Sequence, residues 1–229
     1  MLLIVSFSSQ AQTSYSSISG LYNQAASTFG RSVPSVPTFG TKNETIGNQF
    51  LFENWVQGTV VDVNGNVFSS GYLFNFNKIN QNLYFKLKDT AVAFLVSREE
   101  VKSIQLTDGF KNVLLEKVPA IDSNRFYQVL VKGEKYSLYS LTQTSFIAAN
   151  FFTNGISSTG NMYDEFKDEV KYYVVTSDQK ASEVPLKRKA VKKVFEAEKE
   201  KVTEFFREHD SAGNFGEGFL KSLVETLTH

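Results

Sequence analysis

From residue 50 to about residue 141 the apolar positions recur every second residue. Tyr72, Phe74 and Phe76 share one face of an extended segment, as do Leu83, Phe85 and Leu87, then Val92, Phe94 and Val96, then Ile104 and Leu106, and Val113 and Leu115. Alternation of this kind gives each strand one apolar face and predicts a half-buried antiparallel sheet. Turn chemistry separates the runs. Asn64-Gly65-Asn66 follows the strand predicted over residues 55–63, an Asn-rich break covers residues 75–82, and Lys132-Gly133-Glu134-Lys135 sits between two further strands. Asn-Gly suits a hairpin because both residues tolerate positive φ. About eight short strands joined by tight turns indicate an antiparallel meander that forms a sandwich or a barrel.

The alternation lapses over residues 142–169, a Ser/Thr/Asn/Gly-rich stretch that reads as a loop. A connection of that length is uncommon in a compact domain unless it has a function, because most connections are far shorter. It carries Phe146, Ile147, Phe151 and Phe152 among small polar residues. Burying each such side chain is worth roughly 1.5 to 3 kcal/mol, so these four either fold onto the domain or stay available to a partner. They are the candidate partner-binding residues. Period two returns at Val170, Tyr172 and Val174, opposite Tyr173 and Val175, and a last short strand is expected over residues 181–184 before Pro185.

Beyond residue 186 the spacing becomes helical. Val191, Val194, Phe195, Val202, Phe205 and Phe206 form a stripe whose shift near residues 196–198 divides it into two short helices. Phe215, Phe219, Leu220, Leu223, Val224 and Leu227 form another, with Asn214 as its expected N-cap and Glu217 three positions on. The predicted fold is therefore mostly β with C-terminal helices, an α+β chain in which two or three short amphipathic helices cover the meander. The expected organisation is a signal-peptide remnant at 1–11, a low-complexity arm at 12–48, an antiparallel β domain at 49–186 and a helical segment at 187–229. The arm is rich in Ser, Thr, Gly and Asn and is read as a tether, or as an addition of a strand to the domain.

Composition adds mainly exclusions. The 229 residues include 24 Lys+Arg, 24 Asp+Glu, 21 Phe, 10 Tyr, two His and no Cys. Without Cys there are no thiol nucleophiles, disulfides or Cys-ligated zinc, and with two His a three-His metal site cannot form in one chain. Zero formal charge provides no field to steer the chain onto nucleic acid, and none is expected as a partner. The apolar run of residues 1–7, followed by Ser9-Gln10-Ala11, matches a signal-peptide end with cleavage before Gln12, although no Lys or Arg occurs before Arg31. No other apolar stretch reaches the roughly 20 residues of a transmembrane span.

The remaining motifs differ in the chemistry they could support. Asp62-Val-Asn-Gly65-Asn66 lacks the spacing of a calcium loop and reads as a hairpin turn. The Gly213 to Gly218 cluster is not a phosphate cradle, since its spacing is wrong and Glu217 would repel a phosphate. Lys187, Arg188, Lys189, Lys192 and Lys193 form a candidate anion-binding patch, set against a solvated helix face with acidic neighbours such as Glu196 within i,i+4 reach. The adjacent carboxylates Glu99-Glu100, Asp164-Glu165 and Asp168-Glu169 would serve a hydrolase only if a pair converged across a cleft. No enzyme and no cofactor is expected.

Asn54-Trp55-Val-Gln-Gly58-Thr-Val, the turn at Asn64-Gly65 and the aromatic strand Tyr72-Leu-Phe-Asn-Phe76 resemble an uncharacterised family of exported proteins from Bacteroidetes-type bacteria. Phe126-Tyr-Gln-Val-Leu-Val-Lys-Gly133, Lys171-Tyr-Tyr-Val-Val and the basic helix over residues 186–195 fit the same arrangement, which spans roughly residues 50 to 210. The resemblance implies export and carries no known activity. The functional expectation is an exported, non-catalytic envelope or surface protein with a binding or structural role, partnered by another envelope protein. The alternative is a carrier that holds an apolar ligand in a β-barrel cavity lined by Phe.

Overall fold

The computed structural model describes residues 33–34, 45–88, 92–209 and 215–228. The signal-peptide remnant, most of the 12–48 arm and the Asn214 cap lie outside the described residues. Strands β1 (Val33–Pro34) and β2 (Thr45–Ile46) come from the arm. They are followed by β3 (Gln57–Asp62), β4 (Val67–Phe68), β5 (Tyr72–Asn77), β6 (Asn82–Leu87), β7 (Ala93–Leu95), β8 (Val101–Thr107) and β9 (Asn112–Val118). The long strands β10 (Asp122–Val131) and β11 (Tyr136–Ile147) come next, then the short pair β12 (Phe152–Thr153) and β13 (Ser158–Thr159), and finally β14 (Asp164–Thr176) and β15 (Ala181–Glu183). The helices are α1 (Arg188–Val194), α2 (Lys199–His209) and α3 (Glu217–Thr228), with a 3-10 turn over Glu196–Glu198 where the apolar stripe shifts.

Most of the strands make two sheets. One runs β1-β7-β6-β5; the other runs β15-β14-β11-β10-β9-β8-β3-β4, with β2 added in parallel to β14. The two described pieces of the arm thus add strands, one to each sheet. All other pairings are antiparallel, as the alternation requires, and the described strands do not close a barrel. Val56 and Phe74 exchange backbone hydrogen bonds of 3.0 and 2.8 Å, which ties the sheets together at one corner.

Period two allots the side chains of the large sheet to three cores. Val60, Ile104, Leu106, Val113, Leu115 and Phe126 pack against Phe74, Phe76, Phe85 and Phe94 of the small sheet. Farther along, Leu138, Tyr172, Val174 and Val184 meet the apolar stripes of the three helices, including Val191, Phe195, Val202, Phe206, Leu220 and Leu223. Successive residues of one strand point to opposite faces, so Tyr139 and Leu141 join Tyr127, Val118 and Val175 in a smaller core on the reverse side. Burial pushes the Tyr127 hydroxyl up to about 12, with the Asp122 carboxylate acting in the same direction.

Local sequence explains the turns. Gly65 takes φ +89 between β3 and β4, and the Asp62 carboxylate accepts from the backbone N–H of Asn64 and Asn66 at 2.8 Å. One expectation needs correction: the Asn-rich stretch does not begin as a turn. Asn75 and Asn77 belong to β5 and are buried, because their amides replace backbone partners. Asn75 donates to the carbonyls of Phe52 and Asn54, and Asn77 Oδ1 accepts from the N–H of Ile79 and Asn80. Glu217 faces the sheet, where it accepts a hydrogen bond of 3.2 Å from the Tyr172 hydroxyl.

Candidate functional site

The stretch over residues 142–169, expected to be a loop, is instead a β-ribbon. β11 and β14 pair without interruption from Tyr136↔Thr176 to Ile147↔Glu165, well past the last register positions they share with their neighbours, Gln128↔Ser140 on β10 and Tyr173↔Glu183 on β15. At about 3.4 Å per residue, the seven residues from Ser140 to Ile147 carry the pair roughly 24 Å past its last register position with β10. Alternation was a poor guide here because Thr142, Gln143, Thr144 and Ser145 pair through their backbones whatever their polarity, and Thr favours strands.

The root of this arm is anchored to the first core. Lys78, in the β5–β6 turn, places its ammonium 2.7 Å from Asp168 of β14, with the lysine side chain 10% exposed and the aspartate 42%. Thr144 of β11 donates to the same carboxylate. Gln81, at φ +58, donates to the carbonyls of Lys78 and Thr142. On the ribbon itself the rings of Phe146 and Phe166 lie 5.2 Å apart. β2 runs beside Asp164 and Glu165, and Gly47 at φ +79 passes so close that a Cβ there would sit 2.4 Å from the Phe166 carbonyl oxygen.

Beyond Ile147 the arm ends in a self-contained tip. Asp164 accepts from the Ala149 N–H at 2.7 Å; the Asn150 N–H donates to the Asn161 carbonyl, and Asn150 Oδ1 accepts from the Asn161 N–H. β12 and β13 pair above this, and Asn154 Oδ1 closes the apex by accepting from the N–H of Ile156 and Ser157. Every residue from 150 to 163 is exposed. Among them Phe151 is 45% exposed, Phe152 66%, Ile156 97% and Met162 62%.

The four candidate partner-binding residues therefore divide. Phe151 and Phe152 stand on the tip, whereas Phe146 packs on Phe166 and Ile147 ends the ribbon, half-buried. Ile156, Met162 and Tyr163 share the tip and were not among the candidates. The signal that finds them is the absence of charge: no Asp, Glu, Lys or Arg occurs from Tyr136 to Tyr163.

The basic run lies elsewhere. Lys187, Arg188, Lys189, Lys192 and Lys193 are exposed on and just before α1, a helix of seven residues. Lys192 lies over the Phe206 ring, 5.2 Å from its centroid, where its stem covers an edge of the helical core. One carboxylate of each pair is occupied in building the fold: Asp164 caps the tip, Asp168 holds Lys78, and Glu99 accepts from the Ser97 hydroxyl. Among the described residues, each carboxylate displaced from its ordinary pKa is displaced downward, with hydrogen bonds as the leading cause, as at Asp62, where Asn66 donates. His209 stacks on Phe205 at the end of α2 and donates to its carbonyl. No group of three or more His, Asp or Glu fit to hold a metal occurs among the described residues.

When the chain is compared with known proteins, no family model, no curated protein and no solved structure matches it.

Proposed function

We propose that this is an exported, non-catalytic protein of the bacterial envelope or surface, and that it binds its partner through the tip of the β11–β14 arm. The observation that carries the proposal is the exposure of Phe151, Phe152, Ile156 and Met162 together at the end of a rigidly rooted ribbon. Large apolar side chains exposed on one projection have no role in the fold's own cores, and apolar exposure concentrated in one part of a surface marks interaction sites. The N-terminal apolar run and the resemblance to exported proteins support the address. No specific observation favours the apolar-ligand carrier: rings of Phe74, Phe76, Phe85, Phe94 and Phe126 occupy the space between the sheets, and the cavity beside Phe76 and Phe126 is about 20 Å³, room for one water.

Cell fractionation tests the address. The chain is expected in the envelope or surface fraction; recovery from the cytosol with Met1 retained would overturn export. The arm is tested by replacing Phe151 and Phe152 with Ser. Because both rings are largely exposed, the melting temperature is expected to stay within about 2 °C of the wild-type value, as for other surface changes. Envelope association is expected to be lost. A large fall in melting temperature with association unchanged would place these rings in the core and remove the arm as the site.

A further inference from the structure

We infer that the arm's partner is the headgroup–acyl boundary of a lipid bilayer, into which the tip dips without any requirement for lipid charge. This rests on the reading of the arm as the contact surface and names what it contacts. The tip is uncharged from residue 148 to residue 163 in a chain in which 21% of residues are charged, and its polar residues are all Asn, Ser, Thr or Gly. Protein–protein interfaces are enriched in Arg as well as in aromatic residues, and the tip carries no Arg. The turn, the β12–β13 pair and the Asn150–Asn161 bridge satisfy part of the tip's backbone internally, and the open edges of this two-stranded hairpin confine it to the hydrated boundary rather than the hydrocarbon core.

The stalk sets the depth. Charges resume on β14 at Asp164 and Glu165, and Lys167, Asp168 and Glu169 follow. Glu165, Lys167 and Glu169 resist entry into hydrocarbon, so insertion stops near Ile147. Tyr163 then lies at the level that Tyr and Trp favour in membranes, with Phe151, Phe152 and Ile156 beyond it. No described helix is long and apolar enough to cross a membrane, and shallow insertion by a hairpin needs none.

The test is flotation of the full chain with phosphatidylcholine vesicles, with and without added phosphatidylglycerol, at low and high salt. The chain is expected to float with both compositions and to remain bound at high salt, because no charge takes part. The double variant Phe152→Ser/Ile156→Ser, checked for native circular dichroism, is expected to bind at least about tenfold more weakly, since losing the burial of one such side chain already accounts for that factor. Failure to float with either vesicle overturns the inference. So does binding that requires phosphatidylglycerol and vanishes at high salt, which would transfer the contact to the basic run on α1, and so does a variant that binds like the wild type. If neither protein floats but the tip variants still lose envelope association in cells, the lipid partner is wrong and the arm stands. If the tip variants keep that association, the arm reading itself has failed.

Discussion

Phe85→Ala is expected to be among the most damaging single substitutions in the β-rich half, costing about 3–5 kcal/mol. The Phe85 ring is fully buried between the sheets, stacked on Phe94 at 5.3 Å and met edge-on by Tyr72 at 5.7 Å. Its neighbours are held in place by strand pairing on both sides, Phe74 across β5 and Phe94 across β7, so they cannot collapse into the space it leaves. For a chain of this length the loss corresponds to a fall in melting temperature of roughly 6–20 °C. Thermal or urea unfolding reads it directly; a fall below about 3 °C would mean that the sheets close over the gap and that this core is softer than its packing indicates.

The second large effect is an asymmetry at the root of the arm. Asp168→Ala is expected to cost about 2–3 kcal/mol, below the full value for breaking a buried pair because the aspartate is 42% exposed. It leaves the Lys78 ammonium, only 10% exposed, without its counter-charge and also strips Thr144 of its acceptor. Lys78→Met is expected to cost less than about 1 kcal/mol, because a half-exposed carboxylate can be hydrated and Thr144 keeps its partner. Hydrogen exchange over residues 142–147 and 164–170 should quicken in Asp168→Ala and stay near wild type in Lys78→Met. Equal costs for the two substitutions would show that the pair is worth its surface value and that the arm is rooted by backbone pairing alone.

The strands over residues 50–141 and the three helices were legible because each has one buried face, and a buried face writes its period into the chain. Phe74, Phe85, Ile104 and Leu115 announce strands, and Val202, Phe206, Leu220 and Leu223 announce helices. The arm was not legible as structure. Beyond Leu141 the one buried side chain on this stretch of β11, Thr144, is polar, so no apolar period marks Thr142 to Ile147, and backbone bonds to the partner strand maintain the pair. Phe151 and Phe152 were visible as apolar residues in an otherwise polar stretch; Ile156 and Met162, each alone among polar residues, were marked only by the lack of charge around them. Nor could Lys78 and Asp168 be paired from sequence, being 90 positions apart.

The chain's own order of residues therefore determined the antiparallel meander, its hairpin turns and the helices that cover one end, because alternation, Asn-Gly turns and helical stripes are local and each reports burial against a neighbouring layer. Tertiary structure alone decided that the meander divides into two sheets with three cores, that a polar stretch becomes a ribbon, and that every residue of its uncharged tip from 150 to 163 is exposed. The reason is physical: burial follows period, but projection depends on which strands run on after their neighbours stop, and that is set by long-range register.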